Sequence, residues 1–83
     1  MTFSREVPRY KNCGYWRVKK CLIERGFYLV QNSGKIDKVN MIGSITFSCG
    51  ASEIELIVHI LRNPQTGRLE CGKVLCATET ILD

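Results

Sequence analysis

A turn sequence between two apolar runs constrains the fold of this chain more than any other feature. Asn63 is typical of the first position of a type I turn, Pro64 fixes φ at the second position, and Gly67 accepts the left-handed conformation that closes a hairpin loop. Apolar side chains are frequent in residues 53–62 before the turn and in residues 68–77 after it. The sequence therefore predicts a tight C-terminal β-hairpin.

The segment from Glu53 to Arg62 fits two secondary structures when it is considered without the turn. A helical stripe would consist of Ile54, Ile57, Val58 and Leu61, whereas strand alternation would consist of Ile54, Leu56, Val58 and Ile60. Ser52 and Glu55 also match the capping box of a helix N-terminus. Because a hairpin turn needs a strand on each side, we predict that Glu53–Arg62 is a strand.

One helix is expected near the start of the chain. The three-to-four spacing that places side chains on one face of a helix recurs at Tyr15, Val18, Cys21 and Leu22. Gly26 follows and provides the left-handed conformation that often ends a helix. The sequence therefore predicts a helix over residues 15–25 with a buried apolar stripe.

The remaining segments are predicted with less regular patterns. Residues 27–31 are rich in aromatic and β-branched side chains and are expected to form a short strand. A turn over 32–35 leads to a second strand over 39–49, where apolar and polar side chains alternate. Residues 1–13 are expected to be irregular, and the tail from Thr78 to Asp83 is expected to fray.

The composition favours strands over an all-helical bundle. The chain has eight Ile and six Val but only two Ala, and β-branched side chains pack well on a pleated surface. Its 83 residues suffice for one domain with a modest core. We therefore predict one small domain over residues 1–83, of the α+β class, in which one helix packs on an antiparallel sheet of about four strands.

Charge and aromatic side chains are concentrated in the first half of the sequence. Residues 1–40 hold nine of the twelve Lys and Arg and carry a net charge of +6, whereas residues 41–83 carry −2. Six of the seven aromatic residues also lie in the basic half. This combination is typical of a surface that binds a polyanion, and it also fits a solvated charged face over an ordinary core.

The predicted helix and the segments after it supply the candidate binding residues. The phosphate-contacting candidates are Arg17, Lys19, Lys20, Lys35 and Lys38, and the base-stacking candidates are Tyr15, Trp16 and Tyr28. We expect Arg17 and Lys20 to share a side of the helix away from its apolar stripe. Lys35 and Lys38 follow the next strand and are expected on the same side of the domain.

Five cysteines, an odd number, are read as reduced thiols of a cytoplasmic protein, since the first eleven residues do not form a signal peptide. Neither a C-x-x-C pair nor a second histidine accompanies His59, so we expect no metal and no cofactor. Phosphate-loop, nucleophile-elbow and zinc-protease motifs are missing, and we expect a protein that is not an enzyme. No segment has the roughly 20 apolar residues of a membrane span.

Short stretches of the sequence resemble parts of two known families. Residues 38–47 and 62–67 resemble the strand and the tip of the DNA-binding arm in the HU and integration-host-factor family. That family has a basic arm, whereas residues 48–61 contain no Lys or Arg. Residues 19–30 resemble the opening of HicA-type toxin ribonucleases, whose catalytic histidine has no counterpart in residues 41–49. We assign the chain to neither family.

Two functions remain open from the sequence. The first is a small non-enzymatic nucleic-acid-binding protein that uses its basic N-terminal half. The second is a regulator or inhibitor that binds a larger protein partner, with an exposed sheet edge that could also form a homodimer. Salt dependence separates the two, because phosphate contacts weaken steeply as ionic strength rises.

Overall fold

The computed structural model describes residues 2–82 and contains one α-helix, one short 3-10 helix and six strands in that range. The elements in chain order are β1 (Phe3–Glu6), the 3-10 helix (Pro8–Tyr10), α1 (Tyr15–Glu24), β2 (Tyr28–Leu29), β3 (Lys35–Asp37), β4 (Ile42–Ser48), β5 (Ser52–Arg62) and β6 (Leu69–Ile81). The α+β class with one α-helix is confirmed. The expected number of about four strands is too low by two.

All six strands belong to one antiparallel sheet with the order β1-β6-β5-β4-β2. The short strand β3 also pairs with β4. Strand β2 pairs with one end of β4, and β3 pairs with the other end. Tyr28 is opposite Ser48, whereas Lys35 is opposite Ser44. Two short strands therefore share one edge of the sheet, and β1 forms the other edge.

The predicted C-terminal hairpin is confirmed as the long pair β5 and β6, which settles Glu53–Arg62 as a strand. The backbone N–H of Asn63 donates to the carbonyl of Arg68 at 2.8 Å, and that of Gly67 donates to the carbonyl of Asn63 at 2.8 Å. The Asn63 side-chain oxygen accepts a further bond from the Gln65 N–H at 2.8 Å. Gly67 has a φ of 73°, in the left-handed region that its turn position requires.

One face of the sheet, called the inner face, is covered by α1 and the 3-10 helix. Strand alternation directs every second side chain of β5 to this face. The fully or nearly buried apolar residues are Tyr10, Tyr15, Val18, Leu22, Phe27, Phe47, Ile54, Leu56, Val58, Ile60, Val74 and Ala77. Three residues of the stripe predicted for the helix thus form its buried side, whereas the fourth, Cys21, is only partly buried. The opposite face of the sheet, called the outer face, is open to solvent.

The N-terminal segment and the C-terminal tail differ from the prediction for a common reason. Phe3–Glu6 is a strand rather than irregular, and it pairs with the end of β6, which was expected to fray. In this register Phe3 is opposite Ile81 and Glu6 is opposite Thr78. Each terminal segment is therefore held by backbone hydrogen bonds to the other, and β5 pairs with β6 from its second side.

Strands on the other edge are shorter than expected. The segment predicted as a strand over 27–31 is paired only at Tyr28–Leu29. The strand predicted over 39–49 covers Ile42–Ser48, because a turn occupies the preceding residues and Met41 has a left-handed φ of 53°. Lys35 begins strand β3 instead of closing a turn.

Candidate functional site

The exposed residues of α1 fall into distinct groups because the helix rests on the sheet through one stripe. Tyr15, Val18 and Leu22 are buried against the inner face. Trp16 and Lys20 point away from the sheet and are exposed. Around the helix axis, the residues on either side of this buried stripe form its two flanks.

Trp16 is the most prominent aromatic residue of the helix, since 66% of it is exposed. Its ring packs against that of Tyr15 in an edge-to-face arrangement, with 5.3 Å between centroids and 73° between planes. The Lys19 ammonium nitrogen lies 4.9 Å from the Trp16 ring centroid, within the range of a cation–π interaction. We call Trp16, Lys19 and Lys20 the helix surface.

Tyr15 does not belong to this surface as a stacking group. It is only 4% exposed, so its ring is unavailable to a nucleobase. Burial raises the pKa of the Tyr15 hydroxyl above its usual range, and the neighbouring Cys71 adds to the shift. The stripe that correctly predicted a buried Tyr15 also removes it from the stacking candidates.

Lys35, Lys38 and Tyr28 are not brought together with the helix. Because directly opposed residues in antiparallel strands project to the same face, Lys35 shares the outer face with Ser44. Tyr28 shares that face with Ser48 and is 59% exposed. Lys38 lies in the turn after β3. The expected location of Lys35 on the same side as the helical cations is therefore wrong.

Arg17 lines a cavity beside the helix surface that sequence reasoning missed. The cavity has a volume of about 360 Å³ and lies between α1 and the 3-10 helix. Its lining consists of Arg9, Tyr10, Cys13, Arg17, Val18, Cys21 and Arg25. The spacing of Arg17, Cys21 and Arg25 was a usable signal for one helical flank, but nothing local in the sequence indicated that Arg9 would face it.

Glu79 is the buried carboxylate of the inner face. It is 5% exposed, and its Oε1 accepts hydrogen bonds from Arg5 Nε at 3.2 Å and Nη2 at 2.9 Å. The Ser52 hydroxyl donates to the other carboxylate oxygen at 3.4 Å. Its charge is thereby compensated within the sheet, and Arg5 is the cation that compensates it.

The outer face carries acidic and hydroxylated side chains on β4, β5 and β6, near the end of β4 that pairs with β2. Glu53 and Glu55 line a shallow depression with Thr46, Thr78 and Thr80. Glu6 is opposite Thr78 in the β1–β6 register and therefore projects to the same face. The basic helix surface and these carboxylates lie on opposite sides of the sheet.

All five cysteines have free thiols in the structure. Burial raises the pKa of Cys71, whereas a hydrogen bond with the Ser52 hydroxyl lowers the pKa of Cys49. Among residues 2–82, no group of three His, Cys, Asp or Glu side chains is arranged to hold a metal ion. Within the same range, neither helix has the length and hydropathy needed to cross a bilayer.

Comparisons of this chain with protein-family models, with curated proteins and with solved structures gave no match. The functional interpretation below therefore depends on the geometry and chemistry of the surface.

Proposed function

We propose that this protein binds nucleic acid through the helix surface, without catalysing a reaction on it. The observation that carries the proposal is an exposed indole, Trp16, one helical turn before Lys19, which contacts its ring, and the exposed Lys20. Indole rings stack on any nucleobase, and lysine ammonium groups contact backbone phosphates without reading sequence. An indole ring stacks only on a base whose face is not already covered by the neighbouring bases of a duplex. The helix surface therefore favours single-stranded DNA or RNA.

Charge around the helix supports this proposal. The nearest carboxylate on the same helix is Glu24, one turn after Lys20, and no Lys or Arg of α1 forms an ion pair within 4.0 Å in the described part of the chain. Within residues 2–82, no carboxylate therefore neutralises the ammonium groups of Lys19 and Lys20. A reducing compartment such as the cytoplasm is part of this proposal, and the odd number of five cysteines supports it.

The proposal is tested by fluorescence anisotropy with labelled single-stranded and duplex oligonucleotides of DNA and RNA at low and high salt. Single strands should bind more tightly than duplexes, and affinity should fall steeply with salt. Because Trp16 is the one tryptophan of the chain, quenching of its fluorescence reports stacking directly. Absence of binding to every oligonucleotide at low salt contradicts the proposal.

Two charge reversals provide a matched comparison. Lys20→Glu should weaken binding of all sequences and flatten the slope of log affinity against log salt by about one unit per lost phosphate contact. Lys35→Glu makes the same charge change on the outer face, so it should have a clearly smaller effect. Equal effects of both variants would indicate a general attraction to net charge instead of a localised surface.

A protein-partner function is the second candidate, and an apolar groove at the β3 edge favours it. The groove has a volume of about 260 Å³, and its lining includes Ile36, Ile45, Ile60 and Cys71. Ile36 is 52% exposed although it is apolar. Pairing of two copies along this edge would cover it, and concentration-dependent sedimentation tests that homodimer, with Ile36→Lys as the disrupting variant.

A further inference from the structure

Three arginines from two separate elements converge on the cavity between α1 and the 3-10 helix. Arg17 and Arg25 come from one flank of α1 and its C-terminal cap, and Arg9 comes from the 3-10 helix. Among residues 2–82, no carboxylate belongs to this lining. The nearby Glu79, whose charge acts on Arg25, is already paired with Arg5. The cavity therefore has an excess of positive charge that nothing in its lining balances.

Two of these guanidinium groups are held in place before any ligand binds. Arg25 Nη1 donates to the Tyr10 hydroxyl oxygen at 2.8 Å, and Arg9 Nη2 donates to the same oxygen at 3.4 Å. Arg25 also lies 5.2 Å from the Phe27 ring centroid, and Arg9 lies 5.0 Å from that of Tyr10. The hydrogen bond to Tyr10 raises the pKa of Arg25, which keeps its charge.

Each arginine keeps most of its hydrogen-bond donors free. A guanidinium has five N–H groups, and the bond to Tyr10 uses one of them in Arg9 and one in Arg25. Guanidinium groups bind phosphate oxygens in a bidentate manner. Because these side chains are already held in place, less conformational entropy is lost when a ligand binds.

The rest of the lining is apolar and polarisable. Val18 is almost completely buried, and the thiols of Cys13 and Cys21 with the Tyr10 ring complete the surface. A volume of about 360 Å³ is at the small end of ligand sites, which suits one compact organic group and not an extended chain. A site that combines guanidinium groups with an apolar floor fits an anion attached to a flat or apolar body.

We propose that this cavity binds a phosphomonoester on an aromatic or apolar body, such as a nucleoside monophosphate, either free or as the phosphorylated end of a strand. A monoester carries up to two negative charges and three terminal oxygens, whereas an internal phosphodiester carries one charge and two free oxygens. Three guanidinium groups match the monoester better. For a strand end, the inference rests on the proposed nucleic-acid binding, since Arg17 borders the helix surface.

The first experiment is isothermal titration calorimetry with adenosine 5′-monophosphate, with adenosine and with inorganic phosphate. The monophosphate should bind more tightly than adenosine or phosphate. Arg9→Gln should weaken its binding about tenfold or more, because a charge-assisted contact is lost. Lys11→Gln removes the same charge from the same segment outside the cavity lining and should change the affinity less than twofold. Equal losses in both variants would overturn the proposal.

Thiol protection gives an independent readout. Adenosine 5′-monophosphate should slow alkylation of Cys13 and Cys21, which line the cavity, but not that of Cys76, which lies on the outer face of β6. Peptide mass spectrometry after brief treatment with iodoacetamide measures the three rates. Unchanged rates at Cys13 and Cys21 at saturating nucleotide would place the ligand elsewhere.

Oligonucleotides with and without a 5′ phosphate distinguish the two sources of the ligand. Tighter binding of the phosphorylated strand, lost in Arg9→Gln, identifies the strand end. Binding of the free nucleotide alone identifies a small-molecule site. If both strands bind equally and the nucleotide does not bind, this inference fails while the nucleic-acid proposal stands. If the nucleotide binds and no strand does, the nucleic-acid proposal fails while this inference stands.

Discussion

Gly67 provides a direct test of how the β5–β6 hairpin is closed. Its φ of 73° lies in the left-handed region, and a Cβ atom added there would meet no heavy atom within 4 Å. A substitution at this position therefore acts only through the backbone conformation, without a steric clash against neighbours. The left-handed conformation costs about 1–2 kcal/mol for an ordinary residue, and more for a β-branched one.

We expect Gly67→Val to lower the free energy of unfolding by about 2–3 kcal/mol, since the turn must keep this conformation or lose its hydrogen bonds. Asparagine tolerates the left-handed region, so Gly67→Asn should cost less than about 1 kcal/mol. For a domain of this size, 1 kcal/mol corresponds to about 4–8 °C in Tm. Urea unfolding followed by far-UV circular dichroism measures all variants.

Gly34 is the matched control for this substitution. An added Cβ at Gly34 also meets no heavy atom within 4 Å, but its φ lies outside the left-handed region. Gly34→Val should therefore change the free energy of unfolding by less than about 0.5 kcal/mol. The reasoning is refuted if Gly67→Val unfolds at the urea midpoint of the parent, or if Gly34→Val is destabilised as strongly as Gly67→Val.

Three other predictions concern the core and the thiols. Leu22→Ala should lower the free energy of unfolding by about 2–5 kcal/mol in the same urea assay, because Leu22 is 0% exposed. At neutral pH iodoacetamide should alkylate Cys49 faster than Cys71, since the Ser52 hydroxyl lowers the pKa of Cys49 and burial raises that of Cys71; Ser52→Ala should slow alkylation at Cys49. Intact mass should show no loss of hydrogens per chain without reductant, and a loss of two or four would contradict five reduced cysteines.

Local patterns in the sequence were sufficient for the helix and the hairpin. Tyr15, Val18 and Leu22 are buried as their spacing indicated, whereas Cys21 of the same stripe is only partly buried. Gly26 has the left-handed φ of 89° expected at the helix end. The turn chemistry from Asn63 to Gly67 decided between helix and strand for the preceding segment. The contacts that determine these elements join residues close to one another in the sequence, so local patterns are enough to predict them.

The edge strands could not be recognised in the same way. All four residues of β1 are exposed, as are all three of β3, so neither strand has an alternating apolar pattern. Strand β1 exists because Phe3–Glu6 pairs with residues 78–81 at the other end of the chain. That pairing also positions the 3-10 helix beside α1 and brings Arg9 to the cavity. The candidate phosphate site was therefore outside the reach of local patterns.

Charge segregation shows how local periods and the global fold combine in this protein. Glu53 and Glu55 share a face because side chains of a strand alternate, and Arg17 and Arg25 share a flank because a helix repeats every 3.6 residues. Each pair is visible in the sequence, but the sequence does not show where one pair lies relative to the other. Only the packing of α1 on the inner face separates them by the thickness of the sheet, so that the arginines lie on the helix side and the two carboxylates lie on the outer face.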